Sequence, residues 1–164
     1  MRRNAMLTGI LVFLCLSVAA AQDHEPSLPP NLKIVPPGAG VPPAVAQLSG
    51  IWEGAWDYTA PPGGGSRKVF AMDITGRGVK IAIVEITPPK VEALYVTSGS
   101  PGNPGKSFRV RDASVSGDAI ILKWGQPGSA KTVTLRSSGS PGTVQATMQT
   151  EGTNKVHKAT LRKK

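Results

Sequence analysis

The most regular feature of the sequence is an alternation of apolar and polar residues in its C-terminal half. Ile120, Leu122 and Trp124 fall on one side of an extended chain, and Lys123 falls on the other. The same alternation occurs at 108–111, 132–136 and 144–149. Because successive side chains of a β-strand point to opposite faces, each segment predicts a strand with one buried and one solvated face. No stretch keeps helical spacing over three turns, so the pattern predicts an all-β fold.

Clusters of Gly, Pro, Ser, Asn and Asp interrupt this alternation at short intervals. Glycine supplies positive φ and proline fixes φ near about −65°, so these clusters are typical of turns. These breaks lie at 61–65, 76–78, 88–89, 100–105, 116–118, 126–128, 140–142 and 151–154. Eight breaks imply nine strand segments. Such strands predict a small antiparallel meander β-barrel of about eight to nine strands. We favour the barrel over a sandwich because closure removes unpaired edges.

The N-terminus has the three-part pattern of a secretory signal peptide over residues 1–21. Arg2 and Arg3 precede an apolar stretch at 6–18, and three alanines end at Ala21. The apolar stretch is shorter than the ~20 residues that span a bilayer, so we expect cleavage and no stable membrane span afterwards. An uncleaved anchor and a lipoprotein modified at Cys15 are the alternatives. The signal predicts an exported protein, either periplasmic or secreted.

Residues 22–48 contain seven prolines and no aromatic residue. Proline lacks an amide proton and fixes φ, so we predict a disordered or extended, solvated tether. A Pro-x-x-Pro recognition motif at 26–29 is the functional alternative. The mature chain's aromatic residues all follow this segment, and residues 49–164 are enough for one β-barrel domain with a modest core.

The chain carries 19 Lys and Arg against 10 Asp and Glu, for a net charge of +9. Much of the excess lies at the C-terminus, where Lys155, Lys158, Lys163 and Lys164 predict a surface basic patch. This patch would attract an anionic surface or an acidic protein. Nucleic acid is not expected as a partner, because the signal exports the chain and no stacking aromatics interleave with these bases. The alternative is a solvated edge strand whose lysines prevent edge-to-edge pairing.

Two features at the ends of the folded region carry a family resemblance. The first predicted strand contains Gly50-x-Trp52, and Arg162 lies close to the C-terminus. Gly-x-Trp resembles the opening motif of the calycin superfamily, which includes lipocalins, avidins and fatty-acid-binding barrels. The resemblance implies that Gly50 and Trp52 form the barrel floor and that Arg162 packs across the indole. As an alternative, Trp52 is a core aromatic at a strand start, and both interpretations predict that it is buried.

Catalytic and metal-binding patterns are missing from the folded region. Its one histidine, His157, is flanked by Lys155 and Lys158, which disfavour protonation of the ring. Glu53 and Asp57 lie four residues apart on one strand, or about 13 Å, which exceeds the ~6.5–9.5 Å of an inverting glycosidase. The one cysteine, at position 15, precedes the predicted cleavage site. We therefore predict a non-catalytic protein without a metal or another cofactor.

Binding of a small ligand is the function that the sequence favours. An eight-stranded barrel is either filled by side chains or wide enough for one small ligand. Trp56, Tyr58 and Trp124 are our candidates for holding an apolar or aromatic ligand. The alternative is a structural module, or one that binds a partner or polyanion through the basic C-terminal strand, with a lumen packed by large side chains at positions such as 81, 83, 108 and 122.

Overall fold

The structure, a computed structural model, describes residues 27–57, 77–98 and 105–164. The predicted signal peptide and Tyr58 lie outside these residues. One short helix and nine strands occur within the described ranges: α1 (Pro43–Ala46), β1 (Gly50–Trp56), β2 (Arg77–Thr87), β3 (Lys90–Thr97), β4 (Lys106–Val110), β5 (Asp112–Ser116), β6 (Ala119–Trp124), β7 (Lys131–Ser137), β8 (Thr143–Thr150) and β9 (Val156–Lys163).

The strands form a closed antiparallel barrel. Strands that follow one another in the chain pair, except that β5 pairs with β3 and β6 and not with β4, and β1 pairs with β9 through Trp52 opposite Lys163 and Glu53 opposite Arg162. Eight strands complete the circle as β1-β2-β3-β5-β6-β7-β8-β9. The ninth strand, β4, pairs with β3 and is separated from β5 by Arg111 alone. The prediction of an all-β antiparallel meander barrel is therefore confirmed.

Alternate residues of each strand fill the interior. Both faces of the predicted pattern are present: in β7, for example, Val133 and Leu135 are buried, whereas Thr134 between them is half-buried and Arg136 is exposed. The largest completely buried side chains include Trp56, Ile81, Ile83, Ile120, Leu122 and Leu161. These side chains belong to one continuous core cluster to which every strand contributes. The interior is thus a packed hydrophobic core.

The segment that precedes β1 packs against the barrel wall. Leu28, Leu32 and Ile34 contact a small cluster on the outer face of β2 and β3, and the Val35 N–H donates to the Val84 carbonyl oxygen at 2.8 Å. We predicted a solvated tether here from the prolines. The structure differs because apolar residues lie among those prolines and pack on an apolar surface of the barrel. Ala82 and Leu94 point outward and form part of that surface.

Helix α1 covers one end of the barrel, which we call the closed end. Val45 and Leu48 are fully buried and belong to the main core, together with Val41. Pro43 stands at the start of the helix, where its missing N–H costs no hydrogen bond. The opposite end, where β1 and β6 finish, is called the aromatic end. The candidate site residues divide between these two ends.

Candidate functional site

Four aromatic rings meet at the aromatic end, one each from β1, β3, β4 and β6. Trp56 is only 1% exposed, and its Nε1 donates to the Tyr95 hydroxyl at 2.8 Å. The Tyr95 ring lies 4.6 Å from that of Trp124 and 5.5 Å from that of Phe108, measured between centroids. Phe108 and Trp124 meet edge to face at 5.5 Å. These residues form what we call the aromatic cluster, with the spacing and tilts that aromatic pairs prefer.

The aromatic cluster contains two of the three predicted ligand-binding residues. Trp56 and Trp124 are joined through Tyr95, which sequence reasoning did not select. The signal for Tyr95 was present, since it continues the inward alternation of Val91 and Ala93 along β3. Trp56 is enclosed, whereas Trp124 is only partly buried. Trp124 is therefore the member of this predicted pair that is accessible from outside.

A cleft of about 540 Å³ opens beside Trp124, and we call it the rim cleft. Arg109 and Arg111 lie on one side of it, while Pro127 and Ala130 lie on the other. It exists because β6 ends at Trp124, and the chain turns back towards β7 through residues 125–130. Beyond that point β4 continues alongside β3 without β6 as a neighbour.

The backbone conformation of Gly125 and the hydrogen bonds of Glu151 fix the connection between β6 and β7. Gly125 has φ of +108°, and a Cβ there would lie 3.1 Å from the Ala130 Cα, so a larger residue is disfavoured on both counts. The Glu151 carboxylate accepts from the Gly128 N–H at 2.8 Å. The Glu151 N–H in turn donates to the Ala130 carbonyl at 2.7 Å. Glu151 thus fixes the wall of the rim cleft.

Three cations and two carboxylates line the rim cleft, and two of the cations have no ion pair among the described residues. Arg109 pairs with Glu92 at 2.7 Å, between Nη2 and Oε1. Arg111 and Lys123 also line the cleft, and no carboxylate of the described residues lies within 4.0 Å of either nitrogen group. Asp112 is opposite Lys123 in the ladder but forms no ion pair with it. An anionic group would find two unneutralised cations here.

At the closed end, the cation over Trp52 is not the one that the calycin resemblance implies. Trp52 is 2% exposed, as expected, and its Nε1 donates to the Leu48 carbonyl at 2.7 Å. Lys163 places its Nζ 5.4 Å from the ring centroid of Trp52. Arg162 is exposed on the outer face. The physical reason is strand alternation, because Leu161 and Lys163 point towards the barrel axis and the residue between them points away.

Gly50 makes this arrangement possible. Its φ is +123°, and a Cβ at this position would lie 2.9 Å from the Lys163 Cε. The lysine stem therefore crosses the space that a larger residue at position 50 would occupy. The Gly-x-Trp motif and Lys163 form one structural unit that covers the floor of the barrel.

The four lysines of the predicted basic patch do not share one surface. Lys163 and Lys164 lie at the closed end, and Lys155 precedes the start of β9 at the aromatic end. Lys155 and Lys163 are eight residue steps apart along the chain, or about 26 Å at about 3.3 Å per residue. Lys158 lies between them and is opposite Asp57 in a β-bridge. The positive charge is thus distributed along the whole length of β9.

Glu53 holds a three-residue ion network on the wall next to the closed end. Its carboxylate pairs with the Lys80 ammonium and lies 3.5 Å from the Lys164 Nζ. The hydrogen bond from Lys80 lowers the pKa of Glu53, and the charges of Lys80 and Lys164 add to this effect against the opposing influence of desolvation. Lys80 is only 8% exposed, so the carboxylate neutralises a buried charge. Glu53 has a structural role.

The described residues hold no group of three or more His, Cys, Asp and Glu side chains that could bind a metal ion. His157 lies with its Nδ1 3.4 Å from the Asp57 carbonyl oxygen. In the described ranges, no helix has the length and apolar character needed to cross a membrane.

No family model, curated protein or solved structure matches this chain. The closed eight-stranded antiparallel barrel is compatible with a calycin-like fold. Membership of the calycin superfamily stays a prediction from the residues at the closed end.

The pairing of Lys163 with Trp52 leads to a first prediction. Lys163→Ala should lower the free energy of unfolding by about 0.5–1 kcal/mol, because a cation–π contact at a partly exposed site is lost. Arg162→Ala is the matched control and should change it by less than about 0.5 kcal/mol. Urea unfolding followed by far-ultraviolet circular dichroism measures both. A larger loss for Arg162→Ala than for Lys163→Ala would contradict the assignment.

The lowered pKa of Glu53 leads to a second prediction. A carboxylate whose pKa is lower in the folded state stabilises the fold above its unfolded pKa of about 4.3, and that contribution is lost as the pH falls through the folded value. Glu53→Gln should therefore reduce stability at pH 7 and flatten its fall between about pH 5 and pH 2. Asp112→Asn, at an exposed carboxylate without an ion pair, is the control. Parallel pH curves for the wild type and Glu53→Gln would contradict the prediction.

Proposed function

We propose that the chain is an exported, non-catalytic binding module whose ligand lies in the rim cleft against Trp124. The observation that carries this proposal is the position of Trp124, which packs on the buried aromatic cluster and also lines an open cleft. A partly apolar ligand would cover the accessible part of that ring. An aromatic surface next to polar groups is typical of small binding sites.

The packed interior supports a site at the rim in place of one inside the barrel. Trp56 is enclosed and bonded to the Tyr95 hydroxyl, so a ligand between these rings would have to break that hydrogen bond and displace the core. A ligand in the rim cleft needs neither change. Of our candidate ligand residues, Trp124 thus contacts the ligand, and Trp56 supports Tyr95 beneath it.

The carboxylates near the rim cleft support a role without catalysis. Glu92 is paired with Arg109, and Glu151 accepts from the Gly128 N–H. Asp112 is exposed and lies opposite Lys123 in the ladder. Export rests on the sequence of residues 1–21. The alternative, binding of a polyanion by the basic C-terminal strand, has less support because its lysines are spread along β9.

An apolar anionic dye tests this proposal. We expect 1-anilinonaphthalene-8-sulfonate to bind the folded mature protein saturably with increased dye emission. Trp124→Ala should weaken binding about tenfold, or about 1.4 kcal/mol, which is of the order expected for one aromatic contact and its burial.

The matched control is Val156→Ala, which removes an apolar side chain that is 51% exposed on β9. It should leave dye binding unchanged, and circular dichroism should show that both variants fold. Dye binding that is absent, or that is equal in the wild type and a folded Trp124→Ala, would contradict the proposed function.

A further inference from the structure

Strand β4 has a partner on one side only among the described residues. Lys106–Val110 pairs with β3 in antiparallel register, and β6, which pairs with β5 further along the same edge of β3, ends at Trp124. In an edge strand, alternate backbone N–H and C=O groups point away from the sheet and are available to another chain. Such an edge is the structural requirement for strand addition.

The rim cleft lies along this edge. Arg109 and Arg111 form the β4 side of the cleft, and the connection at 125–130 forms the side away from β3. Trp124 lines the cleft between them. A second extended chain placed in the cleft would therefore lie beside the outer edge of β4 and against the indole of Trp124.

The side chains on the two faces of β4 specify what such a chain must carry. Phe108 and Val110 point inward, towards the aromatic cluster, whereas Arg109 is on the outer face. Arg111 and Lys123 add two exposed cations near the same outer surface, and the exposed Asp112, opposite Lys123, is a carboxylate beside them that forms no ion pair among the described residues. Since side chains of an added strand also alternate between faces, its inner residues would meet aromatic rings and its outer residues would meet positive charge.

We propose that the rim cleft binds an extended acidic segment of another protein, which pairs with β4 and alternates carboxylate and apolar side chains. Its carboxylates face Arg111 and Lys123, which lack an ion pair within the described residues, and its apolar side chains face Phe108 and Trp124. This inference rests on the proposed function, because it names the class of ligand that the same cleft takes. Backbone hydrogen bonds supply affinity, and the alternation supplies specificity.

Charge distinguishes this partner from a second copy of the chain. Two copies joined through β4 would place Lys106, Arg109 and Arg111 near the same residues of the other copy. Only Arg109 has a carboxylate partner, Glu92, among the described residues. Like charges facing one another across paired strands are destabilising, so the edge is complementary to an acidic segment and not to itself.

A short peptide tests the proposal directly. The probe is acetyl-Glu-Leu-Glu-Phe-Glu-Leu-Glu-amide, and its binding to the full mature protein is measured by isothermal titration calorimetry. We expect saturable binding that is at least tenfold tighter than that of a peptide with the same residues arranged as one acidic and one apolar block. Equal affinity for the two peptides would overturn the proposal.

Two N-methylated peptides test whether the backbone pairs. One carries N-methyl groups at its odd positions and the other at its even positions. Because a paired strand directs only alternate amides to its neighbour, one of these peptides should lose at least tenfold in affinity and the other should bind like the parent. Equal binding of both to the protein would overturn strand addition, as would equally tight binding of inorganic polyphosphate, which shares only the charge.

Matched variants locate the site. The double variant Arg111→Gln with Lys123→Gln should weaken peptide binding at least tenfold. Arg136→Gln removes another exposed cation, one that pairs with Asp118 on the closed-end side of the barrel, and should have no effect. Equal effects of the double variant and of Arg136→Gln would overturn the inference. Dimers of the mature protein that form through β4, detected by sedimentation equilibrium, would also overturn it.

The two proposals fail in different ways. If the dye binds in a Trp124-dependent manner and the peptide does not bind, strand addition is wrong and the proposed function stands. If neither the dye nor the peptide binds the folded protein, both are wrong.

Discussion

The pairing of the first strand with the last is the contact on which the rest of the barrel depends. At this seam the Asp57 N–H donates to the Lys158 carbonyl at 2.8 Å, and the Lys164 N–H donates to the Ile51 carbonyl at 3.0 Å. Between these bonds the strands approach so closely that a Cβ at Gly54 would lie 2.8 Å from the Thr160 carbonyl oxygen. The absence of a side chain at this glycine lets β9 approach β1 and close the circle. Closure removes the edges of β1 and β9 together.

Closure also explains why the candidate site lies at the rim. Once β1 and β9 meet, eight strands enclose a volume that the inward side chains fill, so the lumen offers a ligand little space. The strands of the circle differ in length. Strand β6 ends at Trp124, whereas β4 continues beside β3. This difference in length produces both the rim cleft and the edge of β4 that is unpaired within residues 27–57, 77–98 and 105–164. The two features that we propose for binding thus have one geometric origin.

Much of this fold is predictable from the sequence, but helix α1, the contact of Lys163 with Trp52 and the rim cleft were not predicted. The alternation at Ile120, Leu122 and Trp124 places these side chains on the inner face as expected, because burial on one face fixes the strand pattern. The helix α1 was missed because its apolar residues are scattered among prolines. Lys163 was missed in favour of Arg162, although continuing the alternation from Ala159 and Leu161 leads to it. The rim cleft depends on where β6 stops relative to β4, which no local pattern specifies.

The closed barrel leaves β4 with one edge that has no partner strand among the described residues, and we propose that this edge forms the binding site. Hydrogen exchange of the mature protein, resolved for each amide by NMR, tests it most directly. We expect slow exchange for the paired amides of β1 and β9, and alternate amides of Lys106–Val110 that exchange at least tenfold faster than their neighbours and become protected when the acidic peptide is added. Uniformly slow exchange along β4 without peptide would contradict the account.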